Sequence, residues 1–250
     1  MPDALWAALA APGLLWLVLT IGIAGVVRGF AGFGTALIFV PVAGQFLPAA
    51  DVILLMAITG VASLLTLAPT AWPVADKREV ATLAAATVLT VPLGLWLLTQ
   101  IDDLVIRWMV AVIASITLIA IVTGWQWRGR LGAAGLGSVG GSAGIVGGMT
   151  GLTGPVVIMF YLANARSAAA VRANIILFLA ALDAVIIANL LISGLVGRSM
   201  LWLGLVLIVP YLLATLVGQA FFDPAYEKAY RIVAYAVIAL AVVSGLPILD

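Results

Sequence analysis

The 250-residue chain contains no cysteine and no histidine. Disulfides, thiolate nucleophiles, imidazole bases, haem ligation and the common zinc sites are therefore excluded, and with them most enzyme chemistry carried out inside membranes. No metal and no cofactor is expected, and no catalytic residue is assigned. Charge is scarce as well: only 8% of residues are Asp, Glu, Lys or Arg, with a formal net charge of +1. The basic residues are scattered rather than gathered into the stripe that nucleic acid requires, so that partner is set aside. The opening Met1-Pro2-Asp3-Ala4-Leu5-Trp6 lacks the basic segment of a signal peptide, and the first apolar stretch is expected to stay in the mature protein. Neither half holds a P-loop pattern, which leaves no support for a nucleotide-driven pump.

What is present is apolar. Hydrophobic residues make up 65% of the chain and the mean hydropathy is +1.30, too much apolar surface for a water-soluble domain. The lipid bilayer is the partner this composition demands. Apolar runs between charged or turn-rich breaks give ten segments, near 5–27, 35–47, 51–71, 80–99, 103–125, 131–147, 155–164, 168–193, 199–221 and 228–247. Several reach the ~20 residues that cross a bilayer as helix, whereas 35–47 and 155–164 are too short. Trp72, Trp96, Trp125, Trp127 and Trp202 fall at or near segment ends, where aromatic belts form. Pro41, Pro92 and Pro210 lie inside apolar runs and mark kinks.

Each short segment follows a glycine-rich motif that interrupts an apolar run. The first reads Gly25-Val-Val-Arg28-Gly29-Phe30-Ala31-Gly32-Phe33-Gly34-Thr35, and the second Gly144-Ile-Val-Gly147-Gly148-Met149-Thr150-Gly151-Leu152-Thr153-Gly154-Pro155. Gly25, Gly29 and Gly32 align with Gly144, Gly148 and Gly151 at a shift of 119 residues. Farther along, Gly94 and Arg107 align with Gly218 and Arg231 at a shift of 124 residues. The chain is accordingly read as two repeats, 1–125 and 131–250, within one integral membrane domain.

Loop charge chooses between two topologies. With each motif inside a continuous span, the loop Lys and Arg residues split evenly between the two sides. With each motif at the tip of a hairpin that enters the membrane and returns, Lys77, Arg78, Arg128, Arg130, Arg166, Arg172, Lys228 and Arg231 share one side, leaving Arg107 and Arg198 opposite. Eight against two is a positive-inside bias. The expected fold is an all-α polytopic protein of two inverted repeats, about five helical segments each, with the glycine motifs as re-entrant or broken-helix tips at the midplane. Both termini are expected on the outer, periplasmic side of the membrane.

A tip of this kind exposes helix N-terminal amides at membrane depth, where irregular backbone is tolerated only against protein or a wet cavity. Half-helices starting near Thr35 and Pro155 would aim unpaired N–H groups and about half a positive charge each at the midplane, which suits an anion. Thr153 and Gly154 fit the cap position and Pro155 the first turn. The candidate substrate-binding residues are Arg28, Gly29, Phe30, Gly32, Gly34, Thr35, Gly148, Thr150, Gly151, Thr153 and Gly154. The same glycines also fit close helix packing, since Gly25/Gly29, Gly140/Gly144 and Gly144/Gly148 have small-xxx-small spacing. Arg28 is the basic residue set deepest in an apolar run, and such a residue faces a cavity or a partner. It serves either a substrate anion or an ion pair with Asp183, which lies near the middle of 168–193 and is the candidate coupling group or counter-ion. Tyr161, Asn164, Asn174 and Asn189 are accessory candidates.

The duplicated Gly-x-x-x-Gly-x-x-Gly-x-Gly pattern, near the N-terminus and again past the middle, resembles the sulfite exporter TauE/SafE family, also called the toluene sulfonate uptake permease family. The chain departs from it at Thr35 and Ala36, where many members continue with glycine, and at Phe160, which stands opposite Pro41. The resemblance implies an inner-membrane secondary transporter of a small sulfur-containing oxyanion such as sulfite or an organosulfonate. A monoanion leaving a cell with a negative interior gains about 2.3 kcal/mol per 100 mV, which favours export without a coupling ion. A channel-like anion pore, a proton-coupled sulfonate uptake permease and a membrane scaffold remain as alternatives, and homo-oligomerisation is left open.

Overall fold

The computed structural model describes residues 2–31, 33–124, 132–161, 168–221 and 227–248. These residues form α1 (Pro2–Leu9), α2 (Leu14–Ala31), α3 (Thr35–Ala43), α4 (Ala49–Ala62), α5 (Leu64–Ala71), α6 (Lys77–Gln100), α7 (Asp103–Val122), α8 (Ala133–Thr150), α9 (Gly154–Tyr161), α10 (Ala168–Ser193), α11 (Arg198–Ala220) and α12 (Glu227–Ser244). No strand occurs among the described residues. Helices α6, α7, α10 and α11 are long and apolar enough to cross a membrane, and α1–α2 and α4–α5 make up to six such spans if each bent pair counts as one. Outward-facing Leu89, Ile119, Ile192, Leu213 and Leu240 are all at least 60% exposed, as expected of side chains that meet lipid.

Two of the ten apolar segments are divided, and local chemistry explains both divisions. The first bends by 75° between α1 and α2. Gly13 adopts φ +66°, and Phe46 packs where its Cβ would stand. Pro12 precedes it and cannot continue a helix. The second bends by 48° at Ser63. Here hydroxyls bond back to their own helix, Thr59 Oγ1 to Met56 O (2.9 Å), Ser63 Oγ to Gly60 O (2.6 Å) and Thr66 Oγ1 to Ser63 O (3.0 Å). Such bonds compete with the backbone ladder, and Pro69 removes one N–H a turn later. Pro41, Pro92 and Pro210 lie inside α3, α6 and α11 without ending them.

Both motifs break their helices. Ahead of α3, Gly34 takes φ +102°, and at the end of α8 Gly151 takes φ +73°; both values lie in the left-handed region that only glycine enters without strain. At 1.5 Å per residue, α3 and α9 are roughly 12–14 Å long, about half the hydrocarbon thickness. They pack against the helices that precede them, α3 on α2 and α9 on α8.

The most extensive helix contacts are α2 with α11 and α6 with α8. Glycine makes both possible, because each contact brings two backbones together where a side chain would stand. Positions that a Cβ on Gly25 would meet belong to Tyr211 and Ala214, and on Gly29 to Thr215, Gly218 and Gln219. The corresponding neighbours of Gly144 are Thr87 and Thr90, and of Gly148 are Val91, Gly94 and Leu95. Each neighbour in the second set, moved 124 residues along the chain, becomes its counterpart in the first. In the reverse direction Gly218 sits on Val26 and Gly94 on Ile145, related by the 119-residue shift. These interfaces gain dispersion contact rather than apolar burial, since lipid tails already solvate apolar side chains.

Candidate functional site

The two tips meet at one cavity. Its volume is about 30 Å³, and it is lined by Phe33, Gly34 and Thr35 of the first tip and Thr153, Gly154 and Pro155 of the second. Its remaining walls come from Arg28 of α2, Met56 and Gly60 of α4, Leu179 and Asp183 of α10 and Tyr211 of α11. Six helices therefore converge on a space deep in the apolar body, where polar groups are buried: Arg28 is 6% exposed, Asp183 5%, Thr35 5%, Thr153 6% and Tyr211 1%.

Several donors face this space. Gly34 has no side chain with which to cap α3, whose first intrahelical bond runs from Ile38 N to Gly34 O (3.2 Å). The earlier amides of α3 thus open toward the cavity with the positive end of the helix dipole. The Thr35 and Tyr211 hydroxyls lie 3.4 Å apart. Arg28 Nε is buried without a hydrogen-bond partner among the described residues. That is a costly arrangement for a guanidinium unless a ligand or water completes it.

Asp183 lies close enough to Arg28 for their charges to interact, yet no ion pair closes between them among the described residues. Its carboxylate instead occupies the space over Gly60, where a Cβ would collide with it. Arg172, one turn into α10, brings a second positive charge near Arg28 and donates from Nη2 to Gly29 O at 3.4 Å.

Of the residues proposed from sequence, the cavity gathers Arg28, Gly34, Thr35, Thr153, Gly154 and Asp183. Others lie elsewhere. Gly29 and Gly148 face the backbones of α11 and α6. Phe30 packs on Tyr230, ring centroids 5.4 Å apart. Thr150 binds Val146 O (2.7 Å) and accepts from Leu152 N (3.2 Å), closing the end of α8, and Gly151 packs against Ile53 and Val40. Asn174 accepts from Asp76 N (2.7 Å) and donates to Glu79 Oε2 (3.0 Å), tying α10 to the start of α6. Asn189 bonds back to Val185 O (2.9 Å) in its own helix. Gly32, Asn164 and the side chain of Tyr161 lie outside the described residues.

Sequence reasoning passed over Tyr211, Gly60 and Phe33. Tyr211 follows Pro210 in the middle of an apolar run, and a phenol at bilayer depth needs a partner; that was the available signal.

A polytopic α-helical chain in which two broken helices line one cavity has the architecture of a membrane transporter, and its sequence places it in that class. The family model described as Sulfite exporter TauE/SafE matches residues 17–245, and the chain belongs to that family. It is a family of membrane transporters of the sulfite or sulfonate exporter type, not of enzymes. No curated protein and no solved structure matches the chain.

Proposed function

We propose that the protein exports a small sulfur oxyanion, sulfite or an organosulfonate, across the bacterial inner membrane by alternating access around the Arg28 cavity. The carrying observation is Arg28 itself: nine-tenths buried, its Nε unpartnered among the described residues, on the wall of a cavity formed by both tips. A bound oxyanion would accept from the guanidinium fork, the leading amides of α3 and the Thr35, Thr153 and Tyr211 hydroxyls, replacing its water shell. Gly147 stands in the second motif where Arg28 stands in the first, so the charge at the site is one-sided.

Alternating access follows from reading residues 1–125 and 131–250 as inverted repeats. The reading is supported by the recurrence of the α2–α11 contacts in α6–α8 at two constant shifts. Moving one helix pair relative to the other would expose the shared cavity to each side in turn. The loop charges favour periplasmic termini, with 72–79, 125–131, 164–172 and 222–231 in the cytoplasm. Asp183, on the same cavity wall as Arg28, is the coupling group or counter-ion of the site.

The test is flux in proteoliposomes loaded with sulfite. Saturable efflux, accelerated by an inside-negative potential and by external sulfite, is expected. Ohmic conductance without counter-transport would establish a pore instead, and flux that requires an inward proton gradient would establish the uptake permease.

A further inference from the structure

Arg172 stands on the stripe of α10 that contributes to the Arg28 cavity, nearer the start of the helix. Residues 172, 179 and 183 are spaced by seven and four, which puts them on one side of a helix, and Leu179 and Asp183 line the cavity. At 1.5 Å per residue, Arg172 lies about 10 Å before Leu179. Ile175 and Ile176, both buried, occupy the turn between, whereas Arg172 itself is exposed.

Its guanidinium reaches across to α2. Nη2 donates to Gly29 O at 3.4 Å, and Gly29 adjoins Arg28 in the chain, so two arginine charges meet at the end of α2 and act on one another. That bond offsets little of their repulsion, because its acceptor is a neutral carbonyl. Among the described residues no carboxylate pairs with Arg172, and Asp183, the carboxylate on the cavity wall, closes no ion pair with Arg28. Two arginines beside one carboxylate leave an excess of positive charge, which an anion in the cavity would balance.

We propose that Arg172 is the second cation of the anion site, acting through its charge rather than by contact, so that the site selects oxyanions by net charge as well as by shape. This rests on the Arg28 cavity being the anion site. In the topology proposed above Arg172 lies on the cytoplasmic side, and an anion approaching from there meets its potential before that of Arg28. The bond to Gly29 O also satisfies a carbonyl in the last turn of α2, and the charge of the ligand separates the two roles. A lost carbonyl bond weakens all ligands alike. A lost charge weakens a dianion twice as much as a monoanion on a logarithmic scale.

Sulfate and methanesulfonate supply that comparison, being tetrahedral oxyanions of similar size with two charges and one. Purified wild-type protein, Arg172→Lys and Arg172→Gln are titrated with each in detergent, and affinity is read from thermal protection. Both anions should protect wild-type protein, and Arg172→Lys should bind each within about twofold of wild type, since the charge is kept. Arg172→Gln should bind methanesulfonate roughly threefold and sulfate roughly tenfold more weakly. Equal weakening of the two anions, no weakening, a loss shared by Arg172→Lys, or no protection of wild-type protein by sulfate overturns the proposal. If Arg172→Gln does not fold, Arg172→Met, equally uncharged, takes its place; failure of both to fold assigns Arg172 to the end of α2 and overturns the proposal too. Arg28→Ala separates the two readings. If both anions still protect it, the cavity reading fails; if neither does while Arg172→Gln weakens both alike, the Arg172 proposal alone fails.

Discussion

The carboxylate of Asp183 rests against the backbone of Gly60, filling the space where any other residue at position 60 would place its Cβ. The pair joins α4 to α10 on the wall of the cavity that Arg28 also lines.

Gly60→Ala is expected to destabilise the protein by about 1–3 kcal/mol, the usual cost of overpacking. In an Asp183→Ala background the same substitution should cost well under half as much, because the colliding group is gone. Thermal denaturation in detergent measures the cycle, and additive effects would show that the two residues are not coupled.

The glycines of α2 divide by what surrounds them. A Cβ on Gly29 would strike the Thr215 carbonyl, whereas on Gly22 it would meet nothing within 4 Å. Gly29→Ala is therefore expected to lower the melting temperature, while Gly22→Ala should be neutral or stabilising by up to about 1 kcal/mol through helix propensity alone. Equal effects at both positions would contradict the packing described for α2 and α11.

Asn174→Ala removes one bond to the Asp76 amide and one to Glu79. A loss of roughly 1–3 kcal/mol in stability is expected, with sulfite affinity unchanged because Asn174 does not line the cavity. A variant of wild-type stability that has lost sulfite binding would place Asn174 in the transport path.

A cysteine at position 128 tests the orientation. Membrane-impermeant reagent applied to intact cells should leave it unmodified, and should reach it once the inner membrane is opened. Labelling from outside would reverse the topology and remove the positive-inside support for inverted repeats.

The helical content, the two breaks and the deep charges were legible because each departs sharply from an apolar background. Gly34 and Gly151 stood out within repeated motifs, and Arg28 and Asp183 as isolated charges. The bend at Ser63 was not legible, since it arises largely from hydroxyls bonding back along one helix, and Pro69 lies beyond the bend itself. Gly60 was equally silent: its role is set by Asp183, more than 120 residues away, and nothing adjacent to it signals a partner. The glycine motifs read in two ways, and the structure divides them accordingly, Gly29 and Gly148 at helix interfaces and Gly34 and Gly154 at the cavity.

The most direct test of the anion site is sulfite-dependent thermal protection of purified wild-type protein, Arg28→Lys and Arg28→Ala. At sulfite about one hundred times Kd, wild-type protein should gain about 2.7 kcal/mol. Arg28→Lys should gain less, since it keeps the charge without the planar fork, and Arg28→Ala should gain nothing while still unfolding cooperatively in the absence of sulfite. Protection of Arg28→Ala equal to wild type would contradict the account and place the anion away from this cavity.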